Sequence, residues 1–192
     1  MKTLMALLIA SFPVLALGAE KQNPDHDFYT QAAEGGLAEV DLGKVAEQRA
    51  TDPSVKQFAA MMVKDHTAAN EKLKSLAEQK SVTLPTDLST AQKSTRKTLE
   101  MQSAADFDAA YIKNQIDAHE DTVALLKKEI ASGKDADAKA FATKMLPTVQ
   151  SHLTQVQELQ KSTASTTSMP NKMMDKTADK TADKGAMGHA NQ

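Results

Sequence analysis

The chain has 192 residues, 23 basic and 25 acidic side chains, a formal charge of −2 at neutral pH, and no cysteine. The near-balance of charge speaks against a nucleic-acid binder, which needs a basic face. Without cysteine, neither a disulfide nor a lipidated thiol can hold the chain together or to a membrane.

Met1-Lys2 is followed by an apolar run from Leu4 to Leu17, interrupted by Pro13, and by the small residues of Ala16-Leu17-Gly18-Ala19. A charged start, a short apolar stretch and small residues at its end predict a secretory signal peptide over residues 1–19, cleaved after Gly18 or Ala19. The run is too short and too broken to cross a bilayer, so a periplasmic or secreted protein with no integral span after cleavage is expected. Outer-membrane association stays open. Residues 20–161 are rich in Ala, Gln, Lys, Glu and Leu and poor in β-branched runs, which predicts one all-α domain. Residues 162–192 turn to Ser, Thr, Asp, Lys and Met, with a tandem Asp-Lys-Thr-Ala at 175–178 and 179–182, and predict a disordered tail.

Asn23-Pro24, followed by Asp25 and Asp27, combines a cap, a first-turn proline and acids on a positive helix terminus, predicting a first helix from about 24 to 50. Asp52-Pro53 repeats the signal for a second helix, 53–79, turning back against the first. Lys80 to Thr86, with Pro85, breaks it. Ser89-Thr90-Ala91-Gln92 fits a capping box and opens a short amphipathic helix to about Met101. A third long helix covers about 104–131, closed by Gly133. Asp135 caps a fourth, reaching about 160, with Pro147 inside it predicting a kink. The fold expected is an antiparallel four-helix bundle with an extra short helix between the second and third long helices.

Three apolar seams each carry one histidine. On the second helix the seam is Val55, Phe58, Met62, His66, Ala69, Leu73 and Leu76, with Asp65 at its edge. On the third it is Ile112, Ile116, His119, Val123, Leu126 and Ile130; on the fourth, Ala138, Ala142, Met145, Val149, His152, Val156 and Leu159. The first helix offers two seams, one through Phe28, Ala32, Gly35, Glu39, Leu42 and Ala46, the other through Ala33, Gly36, Val40 and Gly43. Depth along the bundle brings Glu39 level with His66. His119 lies fourteen residues before Gly133 and His152 nineteen after it, a mismatch of roughly 7 Å; unless the kink at Pro147 or a slanted turn absorbs it, Met145 rather than His152 comes level with His119.

Imidazole in a bundle core is either a hydrogen-bonded packing residue or a ligand. Neutral imidazoles with one or two carboxylates suit Zn, Fe, Ni or Cu, so Glu39, Asp65, His66, His119 and His152 are candidate ligands of a transition metal. A buried His/carboxylate network in a non-catalytic structural or interaction module, with an envelope partner, is the competing reading. A di-iron enzyme is disfavoured: such bundles use Glu-x-x-His pairs, and Val63, Ile116 and Val149 stand three residues before the histidines. In the tail, Met169, Met173, Met174, Met187 and His189 have the soft chemistry for Cu(I) but no Met-x-x-Met regularity, which favours a plain linker. Asp106 and Asp108 read as a solvated or capping face, and His26 as a solvent-facing first-turn residue.

The segments FYTQAAEGGLAEV from Phe28, VKQFAAMMVKDHTAAN from Val55, FDAAYIKNQIDAHEDTV from Phe107 and FATKMLPTVQSHL from Phe141 together resemble the bacterial family called domain of unknown function 4142. The resemblance implies a ferritin-like four-helix bundle, exported and commonly labelled an outer-membrane protein. Its motif residues fall at Glu39, Asp65, His66, His119 and His152. It implies no ferroxidase chemistry, since the di-iron motif is missing here. The functional expectation is metal buffering or envelope stress protection.

Overall fold

The computed structural model describes residues 25–167, which form five helices and, among the described residues, no strand. They are α1 (His26–Arg49), α2 (Pro53–Gln79), α3 (Thr90–Glu100), α4 (Ala104–Ser132) and α5 (Ala136–Thr167). None is long and apolar enough to cross a membrane. The expected signal peptide and all of the tail from residue 168 on lie outside the described residues. α5 runs past the expected end near residue 160 to Thr167 and is continuous through Pro147.

Most helix starts use the chemistry that their sequence announces. Asp52 accepts from the Ser54 N–H at 2.7 Å with Pro53 in the first turn. Ser89 and Gln92 form a reciprocal capping box, and Ser103 accepts from the Asp106 N–H. The end of α2 closes without glycine: Ser81 takes a left-handed φ of 55°, and the Val82 N–H reaches back to the Ala77 carbonyl at 2.9 Å. At α1 the expected Asn23-Pro24 start falls outside the described residues. Asp25 makes no side-chain cap on its own helix; its carboxylate accepts instead from the Lys134 N–H at 2.7 Å and from the Asp135 N–H, tying the start of α1 to the α4–α5 turn.

α1 packs along α2 and α4 along α5, and the two pairs meet through α1–α4 and α2–α5. α3 lies over α1 and α4. Both seams of α1 are used. Gly36 and Gly43 let α2 approach closely, while Glu39, Leu42 and Ala46 turn inward. A Cβ at Gly43 would come within 2.8 Å of Val63 Cγ2 and 3.2 Å of the Ala59 carbonyl oxygen, whereas one at Gly35 would meet nothing within 4 Å. Gly43→Ala is therefore expected to lower stability by about 1 kcal/mol, overpacking outweighing the helix-propensity gain, while Gly35→Ala raises it by up to about 1 kcal/mol. Urea denaturation of the two variants checks this; equal gains in both would mean that the α1–α2 contact is not tight.

The apolar interior divides in two. One cluster gathers Leu42, Phe58, Met62, Phe107, Tyr111, Ile112 and Val156. The other gathers Phe28, Tyr29, Leu73, Leu126, Ala142 and Val149. Between them in sequence on α2, α4 and α5 stand His66, His119 and His152, a polar layer across the middle of the bundle. Asp108 corrects the expectation of a solvated face: it is buried and accepts from Thr51 N, Thr51 Oγ1 and Asp52 N, closing the α1–α2 turn. Arg49 donates to the Glu100 and Gln102 carbonyls and stacks over Phe107 at 5.2 Å.

Candidate metal centre

The three histidines converge. Ring centroids lie 5.8 Å apart for His66–His119, 5.7 Å for His66–His152 and 5.6 Å for His119–His152. All three are buried, and one ring nitrogen from each lies within 4.8 Å of the others. Four coordinating nitrogens at about 2.0–2.1 Å from a tetrahedral ion stand about 3.4 Å apart, so small side-chain rotations separate this spacing from a closed site.

Hydrogen bonds fix which nitrogen is left over. His119 Nδ1 faces the Gln115 carbonyl at 2.9 Å, and because a carbonyl only accepts, Nδ1 carries the proton and Nε2 keeps its lone pair. His152 Nε2 donates in the same way to Asp65 at 3.1 Å, leaving Nδ1 as the lone-pair atom. His119 Nε2, His152 Nδ1 and His66 Nε2 are all buried without a protein partner. For His119 and His152, one ring nitrogen held by a carbonyl or carboxylate with the other bare is the arrangement found around metal-ligating histidines.

Electrostatics keep the imidazoles neutral. Burial first, then the neighbouring His119 and His152, pushes His66 down to about 3. Burial takes His119 down to about 4, against the raising effect of its bond to the Gln115 carbonyl. His152 is lowered by burial and partly restored by Asp65.

The five expected site residues separate into roles. His66, His119 and His152 form the cluster. Asp65 stands behind His152, half-exposed, rather than among the inner nitrogens. Glu39 is buried with Oε1 3.9 Å from His119 Nδ1, on the outer side of that ring, and its Oε2 has no partner. Burial pushes Glu39 up to about 7; the Gln115 amide pulls slightly the other way, although it makes no hydrogen bond of ordinary geometry. His152 is fully part of the cluster, so the depth mismatch that would have brought Met145 level with His119 is absorbed. The reason lies in the turn. Residues 133–135 belong to neither helix, so counting them at the helical rise exaggerated the offset; from the true helix ends it shrinks to about 4.5 Å.

Gln115 was not anticipated from the sequence, and Tyr111 reads there only as a core aromatic, which its burial bears out. Tyr111, Gln115 and His119 follow one another at four-residue intervals on α4 and are all buried, with the Tyr111 hydroxyl and both Gln115 amide atoms lacking partners. The i, i+4 spacing from His119 was the available signal. Burial, reinforced by Glu39 and Glu47, raises the Tyr111 phenol well above its ordinary value.

A family model, "Domain of unknown function (DUF4142)", matches residues 13–159. The chain belongs to this family. No curated protein and no solved structure matched. The matched region takes in α1, α2, α3, α4 and most of α5, so all three histidines and both carboxylates lie within the DUF4142 domain.

Proposed function

We propose that this DUF4142 protein binds one transition-metal ion through His66 Nε2, His119 Nε2 and His152 Nδ1, in an exported, ferritin-like bundle that buffers metal or protects the cell envelope from stress. Two observations carry the reading: the three buried histidines each bring a ring nitrogen within 4.8 Å of the others, and each has one buried ring nitrogen without a protein partner. Desolvating an acceptor and leaving it unpaired costs about 1–3 kcal/mol, and a layer of three such acceptors is better explained by a ligand than by packing. Three imidazoles with no thiolate suit Zn, Cu, Ni or Fe, and leave further coordination positions for water or a small ligand. Asp65 and the Gln115 carbonyl act behind the ligands, orienting the rings. Export rests on the apolar run and small residues of positions 1–19. No catalytic step is proposed.

A second reading has the bonds from His119 and His152 to Gln115 and Asp65 as parts of a structural polar layer, with an envelope partner binding elsewhere. Calorimetric titration of the metal-stripped chain with Zn(II) separates the two. One equivalent is expected for wild type, with binding lost in His119→Ala and weakened about 10–100-fold in Asp65→Asn. Uptake that is absent in wild type, or undiminished in His66→Ala, His119→Ala and His152→Ala alike, would leave the structural layer.

A further inference from the structure

We propose that the groove between α1 and α4, roofed by α3, is the route by which a divalent transition-metal cation reaches the three histidines, and that Glu39 is the relay at its floor. This rests on the metal-binding reading above.

A cavity of about 320 Å³ opens to solvent between these helices, and α3 contributes Gln92 and Thr95 to its wall. Its other lining polar groups include Glu34 and Asp121, with Asn114 and Glu39. No lysine or arginine lines it. Glu34 and Asp121 are half-exposed and exposed respectively, so the mouth carries negative charge into water. Glu39, by contrast, is only 5 % exposed. It lines the groove, and its Oε1 stands 3.9 Å from the outer nitrogen of His119, so an ion leaving it for the inner nitrogens has only the edge of that ring to round. The second observation is that Glu39 Oε2 and Asn114 Oδ1 are both buried without partners. A buried unpaired oxygen is an acceptor that an entering cation can satisfy in exchange for one of its waters.

Beyond the groove, a smaller cavity of about 50 Å³ shares Gln31, Gly35, Thr122 and Leu125 with it and touches His66; most of its walls are apolar, including Leu73, Phe141, Met145 and Val149, so it offers a hydrated ion few oxygens in place of its water. At the groove α3 is fastened to α1 by Gln92 Nε2 donating to the Glu34 carbonyl at 2.9 Å.

Rapid mixing of the metal-stripped chain with Co(II), followed by visible ligand-field absorbance, tests the route. The doubly substituted Glu34→Gln/Asp121→Asn is expected to take up Co(II) several-fold more slowly at low salt, with the difference disappearing at high salt. Glu39→Gln is expected to slow uptake about 10-fold while reaching the wild-type stoichiometry and spectrum. Glu158→Gln, on the exposed face of α5, should change neither. Uptake rates within two-fold of wild type in both groove variants would overturn the route while leaving the histidine site standing. A changed final spectrum or affinity in Glu39→Gln at an unchanged rate would overturn the relay and make Glu39 a ligand. Failure of wild type to bind Co(II) at all would instead remove the metal-binding reading, and the route with it. The rim pair lies at the surface, so the route is tested even if Glu39→Gln folds poorly.

Discussion

Acidification of the metal-free protein from pH 6.5 is expected to destabilise it gently down to about pH 4.5 and more steeply below. The ordinary value for histidine is 6.5, and the folded chain takes His66 down to about 3 and His119 down to about 4, with His152 shifted in the same direction. Below pH 6.5 the unfolded chain binds protons at these sites that the folded chain refuses. His66 and His119 therefore each contribute a slope of about 1.4 kcal/mol per pH unit, stability being lost as pH falls through this window, and His152 acts in the same direction. Glu39 and Glu129 oppose this. Burial, and for Glu129 also the neighbouring Asp25, raises both from an ordinary 4.5 to about 7. Between those values the folded chain holds protons that the unfolded chain has released, so these groups add stability as pH falls from 7 to 4.5 and nothing further below it. In the upper range His66 and His119 are roughly cancelled by the two glutamates, and the lowered His152 leaves a small net loss of stability as pH falls. Once both glutamates are protonated in either state, the opposition ends and the slope steepens until the folded histidines themselves accept protons. Urea midpoints measured across this range check the shape. Glu39→Gln should steepen the upper branch by removing one opposing group; a wild-type profile in which neither that variant nor acidification below pH 4.5 steepens the loss would mean that the histidine layer is charged in the fold.

The same residues explain what could be read from the sequence. Helix starts were legible because caps act locally: Asp52-Pro53 and Ser89 with Gln92 satisfy their own first-turn N–H groups wherever they occur. The three histidines were legible because each interrupts an apolar seam, a periodicity that holds independently of what faces it. Asp108 was not, because its partners are the N–H groups of Thr51 and Asp52, 57 and 56 residues away in the chain. Asp25 likewise caps another turn, 109 residues away at Lys134. A carboxylate in a first turn satisfies local and distant donors equally well, and only packing decides between them. The separation of ligand from support was also hidden: Asp65 and His66 are adjacent, yet on a helix adjacent residues point about 100° apart, which sets Asp65 behind His152 and not beside the inner nitrogens.

If these histidines are kept for a ligand, replacing one with a hydrophobe should make the metal-free protein more stable. His119 is the sharpest place to ask. It is 1 % exposed, with Phe58 6.4 Å away ring to ring and an unpartnered Nε2. Leucine of similar bulk removes that acceptor, whose burial costs about 1–3 kcal/mol, and removes one of the three acid-sensitive slopes. The lost bond to the Gln115 carbonyl costs little, since that oxygen still accepts the backbone N–H of position 119 within the helix. His119→Leu is therefore expected to raise the metal-free stability by about 1–2 kcal/mol at pH 6. It should also abolish the stabilisation that Zn(II) gives wild type, which reaches about 4 kcal/mol at a thousand-fold excess over the dissociation constant. The two effects have opposite signs, so general damage to the core cannot imitate them together. A variant less stable than wild type without metal would instead show that the imidazole itself holds the layer together, as a structural network requires.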